Sequence, residues 1–278
     1  MTTATANAEG VKGASGTPVI QAKGLGHAYG ERQIFENLEF SVAQGEFVCI
    51  VGPSGVGKTT LLQSLTGLLQ PSHGSVVFEG KTVKAPPEGL AIVFQDYSRS
   101  LMPWLSVLDN VALPLRSAGM KKAERLRLAT EALTEVGLKD FTAAYPWQLS
   151  GGMQQRVAIA RALASQPRAI VMDEPFASVD AQTRSDLEDL VLRVRDHLGI
   201  TVMLVTHDID EAVYLADTVL VLSGRPATVT ALIDVDLPVP REQLATKALP
   251  KFAELRTEVY RLIKAPVPPA ESATAPSA

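Results

Sequence analysis

Eight consecutive residues, Gly52-Pro53-Ser54-Gly55-Val56-Gly57-Lys58-Thr59, satisfy the pattern G-x-x-x-x-G-K-[ST] between an apolar run and a segment with helical spacing that begins near Lys58. Glycines let a backbone curl until successive N–H groups and a helix N-terminus face phosphates. Lys58 would add positive charge at the β and γ groups, and the hydroxyl of Thr59 could reach Mg²⁺, with Thr60 completing the cradle. A second constellation closes the apolar run Ile170-Val171-Met172-Asp173-Glu174. It delivers two carboxylates to the C-terminal end of a strand, where open α/β sheets bind ligands. Asp173 can hold Mg²⁺ directly or through water, and Glu174 can orient or deprotonate a water for in-line attack on a γ-phosphate. Two acids after a strand are more often a turn. The phosphate loop upstream decides for chemistry.

These groups need elements to position them. Near-continuous apolar runs at 46–51, 90–94, 169–172 and 202–205 predict strands covered on both faces. Alternation of such runs with helix-patterned segments predicts a parallel sheet flanked by helices. Residues 100 to 164 contain no such run and show helical spacing instead, with Ser106 and Asp109 placed as a capping pair. That interval is expected to be a helical subdomain inserted in the α/β core. Residues 1–17 and 265–278 are Ala-, Thr-, Ser-, Gly- or Pro-rich and are expected to be disordered tails around a domain spanning 18–264.

Composition narrows the partners. A formal charge of −4 in 278 residues offers no broad basic face, so nucleic acid is not expected. One cysteine, Cys49, lies in an apolar run; it permits no internal disulfide and reads as a small buried hydrophobe in a reducing cytoplasm. No stretch reaches the roughly 18 apolar residues of a membrane span, and the first residues lack the pattern of a signal peptide, so any membrane contact is expected to be peripheral.

The segment Leu149-Ser150-Gly151-Gly152-Met153-Gln154-Gln155-Arg156 resembles the signature of ABC ATPases. A serine and two glycines opening a helix give a hydroxyl, bare N–H groups and a dipole suited to a phosphate; in isolation an ordinary N-cap would look the same. The resemblance covers residues 19–262. It implies a RecA-like P-loop NTPase core of the ABC type, with an inserted helical subdomain and an antiparallel β portion. ATP and Mg²⁺ are implied, with two copies sandwiching ATP head to tail so that Ser150, Gly151 and Gly152 complete the site of the opposing chain. Gln95 looks like the Q-loop glutamine that senses Mg²⁺, His207 like the switch histidine at the γ-phosphate, Asp180 like the D-loop aspartate and Tyr29 like the aromatic that stacks on adenine. Met153 stands where many members carry Gln. His27, His73 and His197 are read as turn or helix-surface residues.

The run Ser100-Leu101-Met102-Pro103-Trp104-Leu105-Ser106-Val107 resembles the Leu-Leu-Pro-Trp-hydrophobic segment of the nitrate, sulfonate and taurine importer ATPases, and Leu222-Ser223-Gly224-Arg225-Pro226 and Ile233-Asp234-Val235-Asp236-Leu237-Pro238 resemble later segments of that family. The resemblance implies a subunit on the cytoplasmic face of the membrane that energises uptake through a separate permease, fed indirectly by a solute-binding protein. Apolar residues after Gln95 suit a groove for a permease helix; the plainer reading makes Leu101, Met102 and Trp104 core of the helical subdomain. A non-transport ABC ATPase would bring coiled-coil or zinc-binding insertions or a second cassette, and a small-molecule kinase would have no use for residues 149–155. After Leu222 one short strand-like stretch and one helix at 251–264 are expected, too little for a regulatory module.

Overall fold

The computed structural model describes residues 18–96 and 100–264; both expected tails therefore lie outside the described residues. Among the described residues ten strands form one mixed sheet: β1 (Pro18–Tyr29), β2 (Arg32–Ala43), β3 (Phe47–Val51), β4 (His73–Phe78), β5 (Lys81–Thr82), β6 (Leu90–Val93), β7 (Ala169–Asp173), β8 (Thr201–Val205), β9 (Thr218–Gly224) and β10 (Ala227–Asp234). The four strands expected from apolar runs are present, each with a boundary moved by one residue.

Strands β9, β3, β8, β7 and β6 lie side by side in that order and are parallel. Every residue of β3, β7 and β8 is buried, which is why their sequences read as unbroken apolar runs. Alternate residues serve opposite faces: Phe47, Cys49 and Val51 pack into one apolar cluster, Val48 and Ile50 into the other. Cys49 is thus a free, fully buried core residue.

The antiparallel portion comprises β2, β1, β4 and β5, and it joins the parallel part where Ala227 of β10 faces Phe35 of β2. The segment Leu222–Pro226 turns β9 into its antiparallel neighbour β10. Beyond β10 the chain forms a short helix, Gln243–Lys247, as well as the expected terminal one, Pro250–Lys264.

Between β6 and β7 the described residues form helices Val107–Ser117, Lys122–Glu135 and Gly151–Leu163, with no strand. Ser106 caps the first as its sequence suggests, its Oγ accepting from the Asp109 amide at 3.1 Å. The loop before it is held by a residue with no local signature. Asn110 is fully buried; its Oδ1 accepts from the Met102 amide at 2.8 Å, and its Nδ2 donates to the carbonyls of Met102, Leu105 and Ser106 at 3.0–3.1 Å. This clamp separates two residues that the sequence leaves together: Leu101 is 2% exposed and belongs to the core, whereas Trp104 is 70% exposed. Among the described residues no helix is long and apolar enough to cross a membrane.

Candidate functional site

Strand β3 ends at Val51 and releases the phosphate loop. A Cβ on Gly52 would come within 2.5 Å of the Leu222 carbonyl, and one on Gly57 within 2.6 Å of Ile34 Cγ2 at φ +106°, so both positions exclude a side chain. The helix Lys58–Leu65 follows at once. Lys58 is buried and folds back over the loop, donating to the carbonyls of Gly52 at 2.9 Å and Pro53 at 3.3 Å. Burial lowers the pKa of its ammonium, and the nearby carboxylates of Glu174 and Asp173 oppose that shift.

Strand β7 delivers the two acids into different surroundings. Asp173 is buried, which raises its carboxyl pKa against the hydrogen bond from Thr59. Among the described residues its enclosed Oδ1 has no hydrogen-bond partner. An unpaired carboxylate oxygen beside a hydroxyl is the hard-oxygen environment that Mg²⁺ prefers, so the residues present fit that ion. Glu174 turns away at φ +42°, a conformation uncommon outside glycine, and its amide is fixed by donation to the Val205 carbonyl at 2.8 Å. Its Oε2 accepts from Gln95 Nε2 at 3.2 Å and lies 3.2 Å from His207 Nδ1.

A cavity of about 700 Å³ unites these groups. It is lined by Tyr29, Arg32 and Ile34 of the β1–β2 hairpin, by Ser54, Gly55 and Gly57 to Thr60 of the loop, and by Glu174 and His207. Gly52, Pro53 and Val56 shape the loop without lining the cavity; Asp173 joins through Thr59 and Gln95 through Glu174. Arg32 and Ile34 had no place in the sequence reading. Their signal was the two-residue turn Gly30-Glu31, across which Tyr29 and Arg32 are paired.

Ser150, Gly151, Gly152 and Asp180 do not line this cavity. They form a separate neighbourhood. Ser150 caps the helix Gly151–Leu163, its Oγ accepting from the Met153 amide at 3.3 Å. Asp180 caps the helix Ala181–Leu198, its two oxygens accepting from the Thr183 amide at 3.0 Å and hydroxyl at 2.7 Å. Thr183 in turn packs against Gly152. Met153 is partly buried against the apolar core, which accounts for an apolar residue at that position.

The remaining histidines divide. His197 is on a helix surface as expected, its Nδ1 3.1 Å from Glu135. His73 is exposed but opens β4. His27 is no turn residue: it is 6% exposed within β1, edge-on to Tyr29 at 4.7 Å, and neither ring nitrogen has a hydrogen-bond partner among the described residues.

A family model described as ABC transporter matches residues 35–177. The chain is 45% identical over 229 residues to an uncharacterized ABC transporter ATP-binding protein of Methanocaldococcus jannaschii, covering 82% of this chain and 84% of that one. It is 43% identical over 233 residues to a taurine import ATP-binding protein of Rhizobium johnstonii, with coverage of 82% and 88%. Against a nitrate import ATP-binding protein of Synechococcus elongatus it is 42% identical over 226 residues, with coverage of 80% and 82%. Among solved structures, an ATP-binding cassette captured as a dimer after hydrolysis, with ADP and Pi, superposes with TM-score 0.68 at 33% identity over 78% of this chain and 98% of that one. A subunit from Clostridium perfringens described as part of an ABC transporter complex gives TM-score 0.72 at 28% identity over 78% and 89%. At these identities over most of its length, the chain belongs to the ABC transporter family as an ATP-binding ATPase subunit.

Proposed function

We propose that this chain hydrolyses ATP at the cytoplasmic face of a membrane to energise import of a small solute, of the nitrate, sulfonate or taurine kind, through a separate permease supplied by a solute-binding protein. The observation that carries the hydrolytic part is the placement of the Glu174 carboxylate between Gln95 and His207 on a cavity floored by the Lys58 loop. A carboxylate so held can orient a water for in-line attack and take its proton. Adenine rests on Tyr29, and the phosphates take the place of the Gly52 and Pro53 carbonyls at the Lys58 ammonium while the loop from Gly52 to Thr60 donates its N–H groups. Thr59, Gln95 and Asp173 would hold Mg²⁺, which supplies charge neutralisation to the β and γ phosphates. His207 contacts the γ-phosphate.

Because Ser150, Gly151, Gly152 and Asp180 lie away from this cavity, their role requires a second copy, arranged head to tail so that each signature helix N-terminus meets the other chain's ATP. The dimeric cassette holding ADP and Pi supports the pairing of two copies. Closure on ATP and release on hydrolysis would move the permease between its two accessible states. The exposed Trp104 loop suits the permease contact. The similarity to taurine and nitrate import ATP-binding proteins supports the solute class.

The test uses Glu174→Gln. The variant should bind ATP, fail to turn it over and accumulate as a dimer in light scattering. An ATP-loaded variant that stays monomeric counts against the mechanism. Uptake of labelled nitrate, sulfonate or taurine in cells carrying the subunit with its permease tests the solute.

A further inference from the structure

The loop that carries His207 is tied by an ion pair to the helix capped by Asp180. Arg184 Nη1 lies 3.2 Å from Asp208 Oδ2. We propose that Arg184 is a positioning residue, holding His207 in register with the segment that contacts Gly152 so that closure of a second copy and placement of the γ-phosphate contact become one event. The inference rests on the hydrolytic reading above and adds to it a residue outside the cavity.

One side of the link is the first turn of the helix Ala181–Leu198. Arg184 follows Thr183, whose amide and hydroxyl are bound by Asp180 and whose methyl fills the space at Gly152. The Arg184 amide also donates to the Asp180 carbonyl at 2.9 Å. Any displacement of the signature helix N-terminus therefore presses on this turn.

The other side is the residue after His207. Asp208 accepts from the amides of Asp210 at 3.0 Å and Glu211 at 3.2 Å through Oδ1, and its own amide donates to Thr206 Oγ1 at 3.0 Å. These bonds stay within its own loop and helix. The side-chain contact by which Asp208 reaches out of that segment is the one to Arg184; farther along the same helix, Tyr214 donates to Asp189 at 2.7 Å. His207 is itself largely exposed, so packing does not fix its ring; its backbone and the Glu174 carboxylate 3.2 Å from Nδ1 do. The Thr206 amide, donating to Ile50 at 3.1 Å, anchors the strand end, and Arg184 anchors Asp208. A two-point hold of this kind fixes a short loop between a strand and a helix. Among the described residues Arg184 Nε is buried with no hydrogen-bond partner.

Steady-state ATPase assays and ATP-binding titrations on Arg184→Gln, Arg184→Lys, Asp208→Asn and the Arg184→Gln/Asp208→Asn double variant test the proposal. Asparagine keeps the helix cap while removing the charge. The kcat of Arg184→Gln and of Asp208→Asn should each fall about tenfold, with the Kd for ATP held within about twofold, because neither residue contacts nucleotide phosphate. Lysine should restore part of kcat, and the double variant should be no slower than the slower single one. Unchanged kcat in the single variants, or losses that multiply in the double, would overturn it. Should Arg184→Gln accumulate poorly, Asp208→Asn reads the same pair from its partner side. Wild-type protein run in parallel separates the two claims: absent turnover there defeats the hydrolytic reading, whereas normal turnover with unaffected variants defeats this inference alone.

Discussion

Gly152 has no room for a Cβ because the γ-methyl of Thr183 occupies the space where it would stand. The signature segment and the helix capped by Asp180 are therefore in direct contact, and the contact is set by the absence of one methyl group and the presence of another. Gly152→Ala should destabilise the protein by about 1–3 kcal/mol through overpacking. Thr183→Ser removes the methyl while keeping the hydroxyl that Asp180 binds, so adding it to Gly152→Ala should recover most of that loss. Urea denaturation of the four proteins measures this, and equal stability of Gly152→Ala and wild type would contradict it.

A second prediction concerns Glu211, which is 5% exposed and whose Oε1 has no hydrogen-bond partner among the described residues. Burial, reinforced by the carboxylates of Glu188 and Asp208, holds its pKa well above the usual 4.5, against the Thr206 hydroxyl and Arg184. The folded protein thus keeps this proton to a higher pH than the unfolded chain does. Its contribution to stability is fully present below the unfolded value near 4.5 and is lost as pH rises through the folded value. Glu211→Gln abolishes that loss, so the variant should melt higher than wild type at neutral and alkaline pH, and its advantage should shrink to nothing below pH 4.5. A melting difference independent of pH would disprove the assignment.

Leu101 and Trp104 should part company in the same way their exposures do. Leu101→Ala opens a cavity in the core and should cost about 2–5 kcal/mol. Trp104→Ala should change stability by no more than about 0.5 kcal/mol and leave the ATPase rate of the isolated subunit intact, because the side chain stands in solvent. In cells its effect should appear as reduced uptake and weaker recovery of the subunit with membranes. A Trp104→Ala strain with full uptake would remove Trp104 from the permease contact.

What the sequence made legible here are features carried by consecutive residues. The phosphate loop, the Asp173-Glu174 pair and the Ser150 cap are each contiguous, and β3, β7 and β8 announce themselves because burial on both faces forbids polar residues. The β1–β2 hairpin was not legible in detail. Register shifts between Ala22 and Leu25, Leu25 and His27, and His27 and Ala28 break its alternation, which hid the cavity wall at Arg32 and Ile34 and the burial of His27. Asn110 and the Arg184–Asp208 pair escaped for a different reason. Their partners are defined by tertiary geometry, and a buried asparagine or a surface-type ion pair has no spacing that distinguishes it beforehand.

The hairpin bears on the last prediction, because Tyr29 is exposed at the cavity edge and its ring is supported edge-on by His27 at 4.7 Å. An aromatic face so presented binds a base by stacking, worth about 1–3 kcal/mol, without reading its hydrogen-bonding edge. Tyr29→Ala should therefore raise the Kd for ATP by roughly 5- to 150-fold, Tyr29→Phe should leave it near wild type, and GTP should suffer a similar loss. Since the stack is made equally in the ground and transition states, kcat at saturating ATP should be preserved. Titration with a fluorescent ATP analogue and saturating turnover assays check both halves. A fall in kcat with unchanged affinity would place Tyr29 outside the base site and leave the hairpin a different task.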